Sequence, residues 1–305
     1  MQRSFINYLV ICLKGVAMGA ADVVPGVSGG TIAFISGIYE ELITSINNIN
    51  LQALKILRTE GIKKAWQHVN GNFMAALFLG IGISILSLAK LMHFLLDAHP
   101  IMVWSFFFGL VVASILFVGK QIKKWDVKAV VGFILAAILA YFITTLGAMD
   151  QHGSYPYIFL SGALAICAMI LPGISGAFIL VLLGSYGTIL GALSSFDLKT
   201  IGVFILGVIV GILSFARLLK YLFTHYENLT LAILTGFILG SLNKIWPWKL
   251  VTEIKKIGDK TIVIDQSTSP FNYQGDPQIL WAIGLAVIGF LTIFLLEKIA
   301  TVKNP

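Results

Sequence analysis

Long apolar blocks alternate with short polar segments along the whole chain. A helix crosses about 30 Å of hydrocarbon with roughly 20 residues, and six of the blocks have about that length. Since each block carries few charges, each one predicts a transmembrane helix. The six predicted spans are 73–96, 101–119, 127–146, 201–223, 229–245 and 279–296.

Two further apolar stretches are each interrupted by the same polar turn. The motif Pro-Gly-x-Ser-Gly stands at 25–29 and again at 172–176, an offset of 147 residues. Proline and glycine break helices, and a break at membrane depth is tolerated only inside protein or beside a cavity. Each stretch therefore predicts a broken hairpin of two apolar arms. The arms are 5–24 and 31–46 in the first copy and 157–171 and 177–193 in the second.

The duplication continues beyond the turns at a shorter offset. Lys90 corresponds to Arg217, and Gly109 corresponds to Gly236, both at an offset of 127. A polar and basic segment at 47–72 is present only in the first half and accounts for the difference. Its composition predicts an interfacial helix.

The matching halves predict an all-α, polytopic membrane protein built from two inverted-topology repeats. Each repeat is a broken re-entrant helical hairpin plus three transmembrane helices, and an odd number of spans inverts the second copy. Alternation of apolar and polar residues at 260–265 adds one short extramembrane strand hairpin. The first repeat is 1–148, with hairpin 5–46 and interfacial helix 47–72; the second is 149–305, with hairpin 157–193 and an extramembrane insertion at 246–277.

Lysine and arginine in the short loops predict the orientation. Segments 47–72 and 120–128 carry four each, whereas 97–100 and 147–157 carry none. Basic loops face the cytoplasm, which places both termini there. The five lysines of 244–260 would then be external and fit the rule poorly. If each motif were a single broken span, the halves would be parallel, but each pair of arms is too long for one span, which favours hairpins.

The composition agrees with a membrane protein and excludes a soluble one. The chain is 58% hydrophobic and only 11% charged, against roughly 25% charged residues in soluble domains. The formal net charge of +7 is concentrated between the apolar blocks, where it indicates contact with membrane lipids and not with nucleic acid. Cys12 and Cys167 show no metal-ligand spacing, so neither a metal nor another cofactor is expected.

The two turns are the first candidate site. A serine or threonine suits the N-cap of the outgoing arm, and a helix N-terminus with unpaired amides binds anions. The alternative is that Pro-Gly only kinks a packed helix. This alternative is less favoured because the motif recurs with its serine retained. The predicted phosphate-binding residues of the turns are Pro25, Gly26, Ser28, Gly29, Gly30 and Thr31, with Pro172, Gly173, Ser175 and Gly176 in the second copy.

Four charged residues inside apolar stretches are the second candidate set. Lys90 and Arg217 occupy equivalent positions, and a buried cation in a span costs about 2.5–3.5 kcal/mol, so it serves function or snorkels to the interface. Asp22 precedes the first turn and has no acidic counterpart in the second half. It is a candidate coupling or gating group together with Lys14, or else a partly solvated residue at a cavity mouth.

The segment from Gly19 to Thr31, with its repeat at 171–176, resembles the PopT family of bacterial undecaprenyl-phosphate translocases, formerly a domain of unknown function. The resemblance covers essentially the whole chain. It implies a transporter, not an enzyme, of the bacterial cytoplasmic membrane. Such a protein returns undecaprenyl phosphate from the outer to the inner leaflet for reuse in cell-wall synthesis, with the polyprenyl tail remaining in lipid.

Two other functions remain open from the sequence. Undecaprenyl-pyrophosphate phosphatases also pair inverted repeats with a Pro-Gly-x-Ser turn, but in that family an arginine follows the serine, where this chain has Gly29 and Gly176. Their paired glutamates before the turn are also missing here. An ion-coupled carrier or a channel for a soluble anion is the other alternative, because helix N-termini do not distinguish a lipid phosphate from a free one.

Overall fold

The computed structural model describes residues 3–23, 28–147, 153–257 and 260–302. In the first half these residues form one long helix and then two short helices. Two further short helices follow outside the apolar blocks, and three long helices complete the half. Their bounds are α1 (Phe5–Val23), α2 (Gly29–Ile35), α3 (Tyr39–Asn47), α4 (Leu51–Thr59), α5 (Ile62–His68), α6 (Gly71–Ala98), α7 (Pro100–Gln121) and α8 (Val127–Thr145).

The second half repeats this order of long and short helices without counterparts of α4 and α5, and adds two strands. Its elements are α9 (Tyr155–Ile170), α10 (Gly176–Leu182), α11 (Tyr186–Ser194), α12 (Leu198–Ser241), a 3-10 turn (Leu242–Ile245), β1 (Lys249–Ile257), β2 (Lys260–Ser267), a second 3-10 turn (Pro270–Asn272) and α13 (Ile279–Val302).

The prediction of a polytopic, all-α membrane protein is confirmed. Within the described residues, five helices are long and apolar enough to cross a membrane, or six if the bent pair α10 and α11 is one span. The predicted spans 201–223 and 229–245 correspond to the two helical parts of α12, which meet at Tyr226, where the backbone angles are not helical. The inverted orientation of the halves stays a prediction.

The outgoing arm of each hairpin is two helices and not one. In the first hairpin the chain turns between α2 and α3 at Gly37, whose φ is 72°. In the second it turns at Gly184, whose φ is 64°, and α10 and α11 meet at 105°. A positive φ suits glycine because it has no Cβ. The equivalent glycines therefore interrupt the outgoing arm of each hairpin, beyond the Pro-Gly-x-Ser-Gly turn.

Long helices pack pairwise at points where glycine lets two backbones approach. Helix α6 packs on α1 and α12 packs on α9. A Cβ on Gly19 would meet the Ile81 carbonyl oxygen at 2.8 Å, and one on Gly211 would meet the Ala163 carbonyl oxygen at 2.7 Å. The long helix after each hairpin thus lies against the helix that enters that hairpin. Helix α8 packs on α12, and α13 packs on α7.

The two polar insertions have their own structure. Segment 47–72, expected to be one interfacial helix, forms α4 and α5, which separate at Gly61, where φ is 85°. Neither short helix contains a buried residue. In the second half, β1 and β2 form an antiparallel hairpin with an irregularity between Val251 and Glu253. The expected strand hairpin is therefore present beside an otherwise helical body.

Candidate functional site

The two breaks meet in the interior of the protein. The Ser28 hydroxyl donates to the carbonyl oxygen of Met169 at 3.0 Å, and the Thr31 hydroxyl oxygen accepts from the Gly173 amide at 2.9 Å. Both Ser28 and Thr31 are 1% exposed. Hydrogen bonds between side chains at the start of α2 and backbone at the end of α9 and in the second turn therefore join the two halves directly. We call this contact the junction.

The first break has its amide donors satisfied. The Gly29 amide donates to Asp22 Oδ1 at 2.7 Å, and the Gly30 amide donates to the Ser28 hydroxyl at 3.1 Å. The Thr31 amide donates to the Ser28 carbonyl at 2.9 Å. The expected free amides at the start of α2 are therefore not there, because a carboxylate and the N-cap serine already occupy them. Pro25 and Gly26 lie outside the described residues.

The second break is chemically different. Ser175 occupies the N-cap of α10, but its side chain makes no capping hydrogen bond. Gly173 has φ of 91° and lies against α12, where a Cβ would meet the Phe237 carbonyl oxygen at 2.9 Å. Pro172 and Gly176 are buried. The two breaks therefore share a motif and a meeting point but not a capping pattern.

Asp22 and Lys14 lie at opposite ends of α2. Both belong to α1, and Lys14 Nζ donates to the carbonyl oxygen of Ser36, the C-cap of α2, at 2.6 Å. A negative group at a helix N-terminus and a positive one at its C-terminus both stabilise the helix dipole. The geometry shows these two predicted gating residues bracing α2.

In the second half, the equivalent carbonyl oxygen accepts its hydrogen bond from an uncharged side chain. Tyr157 donates its hydroxyl proton to the carbonyl oxygen of Leu183 at 2.8 Å. Leu183 is the C-cap of α10 and corresponds to Ser36 at the 147-residue offset. Lys14 corresponds to Ser161, which bonds to the Ser185 hydroxyl at 2.7 Å. The same position in the fold is thus held by a lysine in one half and by a tyrosine in the other.

Replacing Lys14 by the tyrosine and serine that the second half uses at the equivalent positions tests the role of Lys14. Lys14→Met leaves the Ser36 carbonyl without its donor, so we expect the free energy of unfolding to fall by about 1–3 kcal/mol. The double variant Val10→Tyr, Lys14→Ser copies Tyr157 and Ser161 and should recover most of that loss. Thermal unfolding of the purified variants measures both. A double variant as unstable as Lys14→Met would show that the charge, and not the hydrogen bond, holds the hairpin.

Lys90 and Arg217 lie away from the junction's hydrogen bonds. Both side chains are exposed, Lys90 on α6 and Arg217 on α12. Neither forms a hydrogen bond or ion pair within the described parts of the chain. Their substrate-binding role stays a prediction, and their exposure is the arrangement that snorkelling requires.

A cleft lies between α3 and α12 near Tyr226. It has a volume of about 350 Å³ and is lined by charged residues of both signs, Glu40, Lys220 and Glu227, with Thr44 and Thr224. Glu227 pairs with Lys123 at 3.2 Å. The mixed charges do not select an anion, so we do not place a phosphate there.

Two lysines near the second break were not picked out by sequence reasoning. Lys244 Nζ lies 5.2 Å from the ring centroid of Phe178, a residue of the first turn of α10, and Lys249 Nζ lies 3.8 Å from that of Trp104. The only sequence signal was the excess of lysines at 244–260. In the described residues, no group of histidine, cysteine and acidic side chains could hold a metal ion.

The fold and the junction define a multi-pass membrane protein in which two broken apolar hairpins are joined at their breaks. The chain belongs to the undecaprenyl phosphate translocase-like family, whose model matches residues 18–261. This membership confirms the family predicted from the motif.

Two curated relatives are similar over most of their length. A polyprenyl-phosphate transporter of Vibrio cholerae is 46% identical over 306 residues, which cover 98% of this chain and 99% of the relative. A polyprenyl-phosphate transporter of Staphylococcus aureus is 32% identical over 253 residues, which cover 77% of this chain and 85% of the relative. No solved structure matches the chain at a significant level.

Proposed function

We propose that this protein moves undecaprenyl phosphate from the outer to the inner leaflet of the bacterial cytoplasmic membrane, for reuse in cell-wall synthesis. The observation that carries the proposal is the junction, where Ser28 and Thr31 bond to the backbone of the second break inside an apolar helical body. Irregular backbone at membrane depth is tolerated where it is buried in protein or lines a cavity, and paired breaks in the two halves of a transporter are typical of its substrate site. The names of the two relatives supply the lipid class.

The headgroup crosses beside the junction in this proposal, and the tail stays in the bilayer. A phosphate needs donors and positive charge along its way, whereas a polyprenyl chain needs only lipid. The Ser28 and Thr31 hydroxyls are already bonded across the junction, whereas α10 begins there with no capping side chain. The predicted phosphate-binding role of Ser175 and Gly176 fits that geometry better than the same role for Gly29, whose amide is bonded to Asp22.

The inverted orientation of the halves and the cytoplasmic position of both termini belong to the same proposal. The repeated order of helices supports the duplication, since a long helix, two short helices and further long helices follow each other in both halves. A transporter and not a phosphatase is supported by Gly29 and Gly176, which stand where the phosphatase family has an arginine.

A reconstitution experiment separates the three candidate functions. Purified protein in vesicles with labelled undecaprenyl phosphate should equalise the label between the leaflets faster than protein-free vesicles. Uptake of soluble phosphate without an effect on the lipid would instead show an anion carrier. Release of inorganic phosphate from undecaprenyl pyrophosphate would show a phosphatase. Either of these results, without lipid movement, contradicts the proposal.

A further inference from the structure

Helix α4, the first helix of the insertion between α3 and α6, has an apolar side that faces outward. Successive residues of a helix are about 100° apart, so Leu54, Ile56 and Leu57 share one half of the circumference of α4. Lys55 and Arg58 share the other half. Leu54 is 45% exposed and Leu57 is 43% exposed. The described part of the chain therefore leaves much of this apolar side uncovered.

Helix α5 is divided in the same way. Ile62 and Trp66 share one half of its circumference, and Lys63 and Lys64 share the other. Ile62 is 77% exposed and Trp66 is 47% exposed. Helices with leucine or tryptophan on one side and lysine or arginine on the other lie in the plane of a membrane surface, with the apolar side toward the lipid tails.

The cations of α4 and α5 are available to an anionic surface. Lys55, Arg58 and Lys63 form no side-chain hydrogen bond or ion pair with the described parts of the chain. Lys64 pairs with Glu60 at 3.7 Å, and both side chains are exposed, so this pair holds the lysine only weakly. Four cations and one carboxylate give α4 and α5, with the turn between them, a net charge of +3.

Helix α5 is held at the boundary of the membrane. It ends two residues before Gly71, where α6 begins and with it a segment long and apolar enough to cross a bilayer. Trp66 donates its Nε1 proton to Asn72 Oδ1 at 2.7 Å, and a Cβ on Gly71 would collide with the Trp66 ring. The apolar side of α5 is therefore fixed beside the first turn of a span, at the depth of the lipid headgroups.

The insertion is also bonded to the first hairpin. Asn48, the C-cap of α3, donates its Nδ2 proton to the His68 carbonyl oxygen at 3.0 Å. Asn70 donates to Glu41 Oε1 at 2.8 Å, and Arg3 pairs with the same carboxylate. These bonds connect both ends of α3 to the segment around α5. A surface that holds α5 in place therefore also holds α3, the last helix of the first hairpin.

The second half joins its hairpin to the next long helix without such an insertion. Helix α11 ends at Ser194 and α12 begins at Leu198, so a connection of a few residues is enough for this fold. Helices α4 and α5 are therefore not required to link a hairpin to a span. Their exposed apolar and basic sides give them a different use, which is contact with lipid.

We propose that α4 and α5 form a docking surface for anionic phospholipid headgroups, which hold the first hairpin from one face of the membrane. The apolar sides enter the boundary between headgroups and tails, and the cations contact the lipid phosphates. A cluster of four or more lysines and arginines on an amphipathic helix is typical of anionic-lipid binding. The inference goes beyond the transported lipid, because it concerns lipids that stay in the bilayer.

Amide hydrogen exchange of the full-length protein in lipid nanodiscs tests this surface. The comparison is between nanodiscs of phosphatidylcholine alone and nanodiscs of equal parts phosphatidylcholine and phosphatidylglycerol. Amides of 51–68 should exchange about five-fold more slowly in the anionic nanodiscs, because headgroup contacts oppose opening of the short helices. A quadruple variant without the four cations should lose this difference. Its substitutions are Lys55→Gln, Arg58→Gln, Lys63→Gln and Lys64→Gln.

Two double variants supply the matched control. Lys63→Gln, Lys64→Gln removes two charges from α5 and should lose part of the slowing, even if the quadruple variant does not fold. Lys124→Gln, Lys128→Gln removes two exposed lysines outside the insertion and should keep the slowing at 51–68. In about 1 M salt, where the Debye length is about 3 Å, the wild type should show less difference between the two nanodiscs.

Three results would overturn the inference. The first is equal exchange of 51–68 in the two kinds of nanodisc, and the second is full slowing in the quadruple variant. The third is slowing that occurs only when two protein copies share one nanodisc, which would assign the surface to a second copy of the chain. Movement of labelled undecaprenyl phosphate is measured separately, so each of these results would leave the proposed function standing.

Discussion

Gly30→Ala is expected to reduce lipid movement at least ten-fold. A Cβ at this position would meet the carbonyl oxygen of Ile170 at 2.5 Å and that of Met169 at 2.9 Å. Both obstacles are backbone atoms of the helix that leads into the second break, so no side chain can move aside to admit the methyl group. Overpacking of this kind typically costs about 1–3 kcal/mol, and it would push the two breaks apart.

Gly82→Ala is the matched control for this variant. Gly82 lies on α6, and a Cβ there would meet nothing within 4 Å. We expect it to move lipid at the wild-type rate. The measurement is the leaflet exchange of labelled undecaprenyl phosphate in vesicles with equal amounts of folded protein. Wild-type activity in Gly30→Ala would show that close contact between the breaks is not needed for transport.

Thr31→Val is expected to lower the free energy of unfolding by about 1–3 kcal/mol, because it leaves the Gly173 amide buried without an acceptor. Valine has nearly the shape of threonine, so packing is conserved and the change isolates the hydrogen bond. Thr31 is 1% exposed, which means that water cannot replace the lost acceptor. Lipid movement should fall together with stability, since the bond joins the two breaks.

Thr31→Ser is the control for that prediction. It keeps the hydroxyl that accepts from Gly173 and loses only a methyl group, so it should be closer to the wild type in both thermal unfolding and lipid exchange. If Thr31→Val and Thr31→Ser were equally impaired, the effect would come from lost packing, and the hydrogen bond across the junction would carry little of the stability.

The sequence was a good guide to the long helices. The predicted spans 73–96 and 101–119 correspond to α6 (Gly71–Ala98) and α7 (Pro100–Gln121), because blocks of apolar residues report membrane crossing directly. The polar residues around Tyr226 predict a separation between two spans, and the structure has two helical segments that meet at Tyr226 through non-helical backbone angles. What the sequence did not show is how short this connection is.

The sequence also located the two breaks, but it did not show which groups accept hydrogen bonds from their backbone amides. The repeated motif predicts a break in each half, and the structure joins the two breaks through the bonds of Ser28 and Thr31. Free amides were expected because the N-cap rule considers one helix at a time. The carboxylate of Asp22 comes from the preceding helix, and its approach to Gly29 depends on how α1 and α2 fold back on each other.

Contacts between distant segments account for what the sequence could not show. The ring of Trp104 lies under Lys249, 145 residues later by number, through the packing of α7 beside the end of α12. No periodicity within one segment predicts such a pair. In contrast, the second break in each arm had a local signal: Gly37 and Gly184 match at the motif offset, and both have positive φ.

An experimental structure of the protein with bound undecaprenyl phosphate is the decisive test of a headgroup path at the junction. We expect the phosphorus atom beside the junction, in contact with the first turn of α10. A headgroup held elsewhere, for example at the exposed side chain of Arg217 with both breaks remote from it, would show that the junction is not the headgroup site.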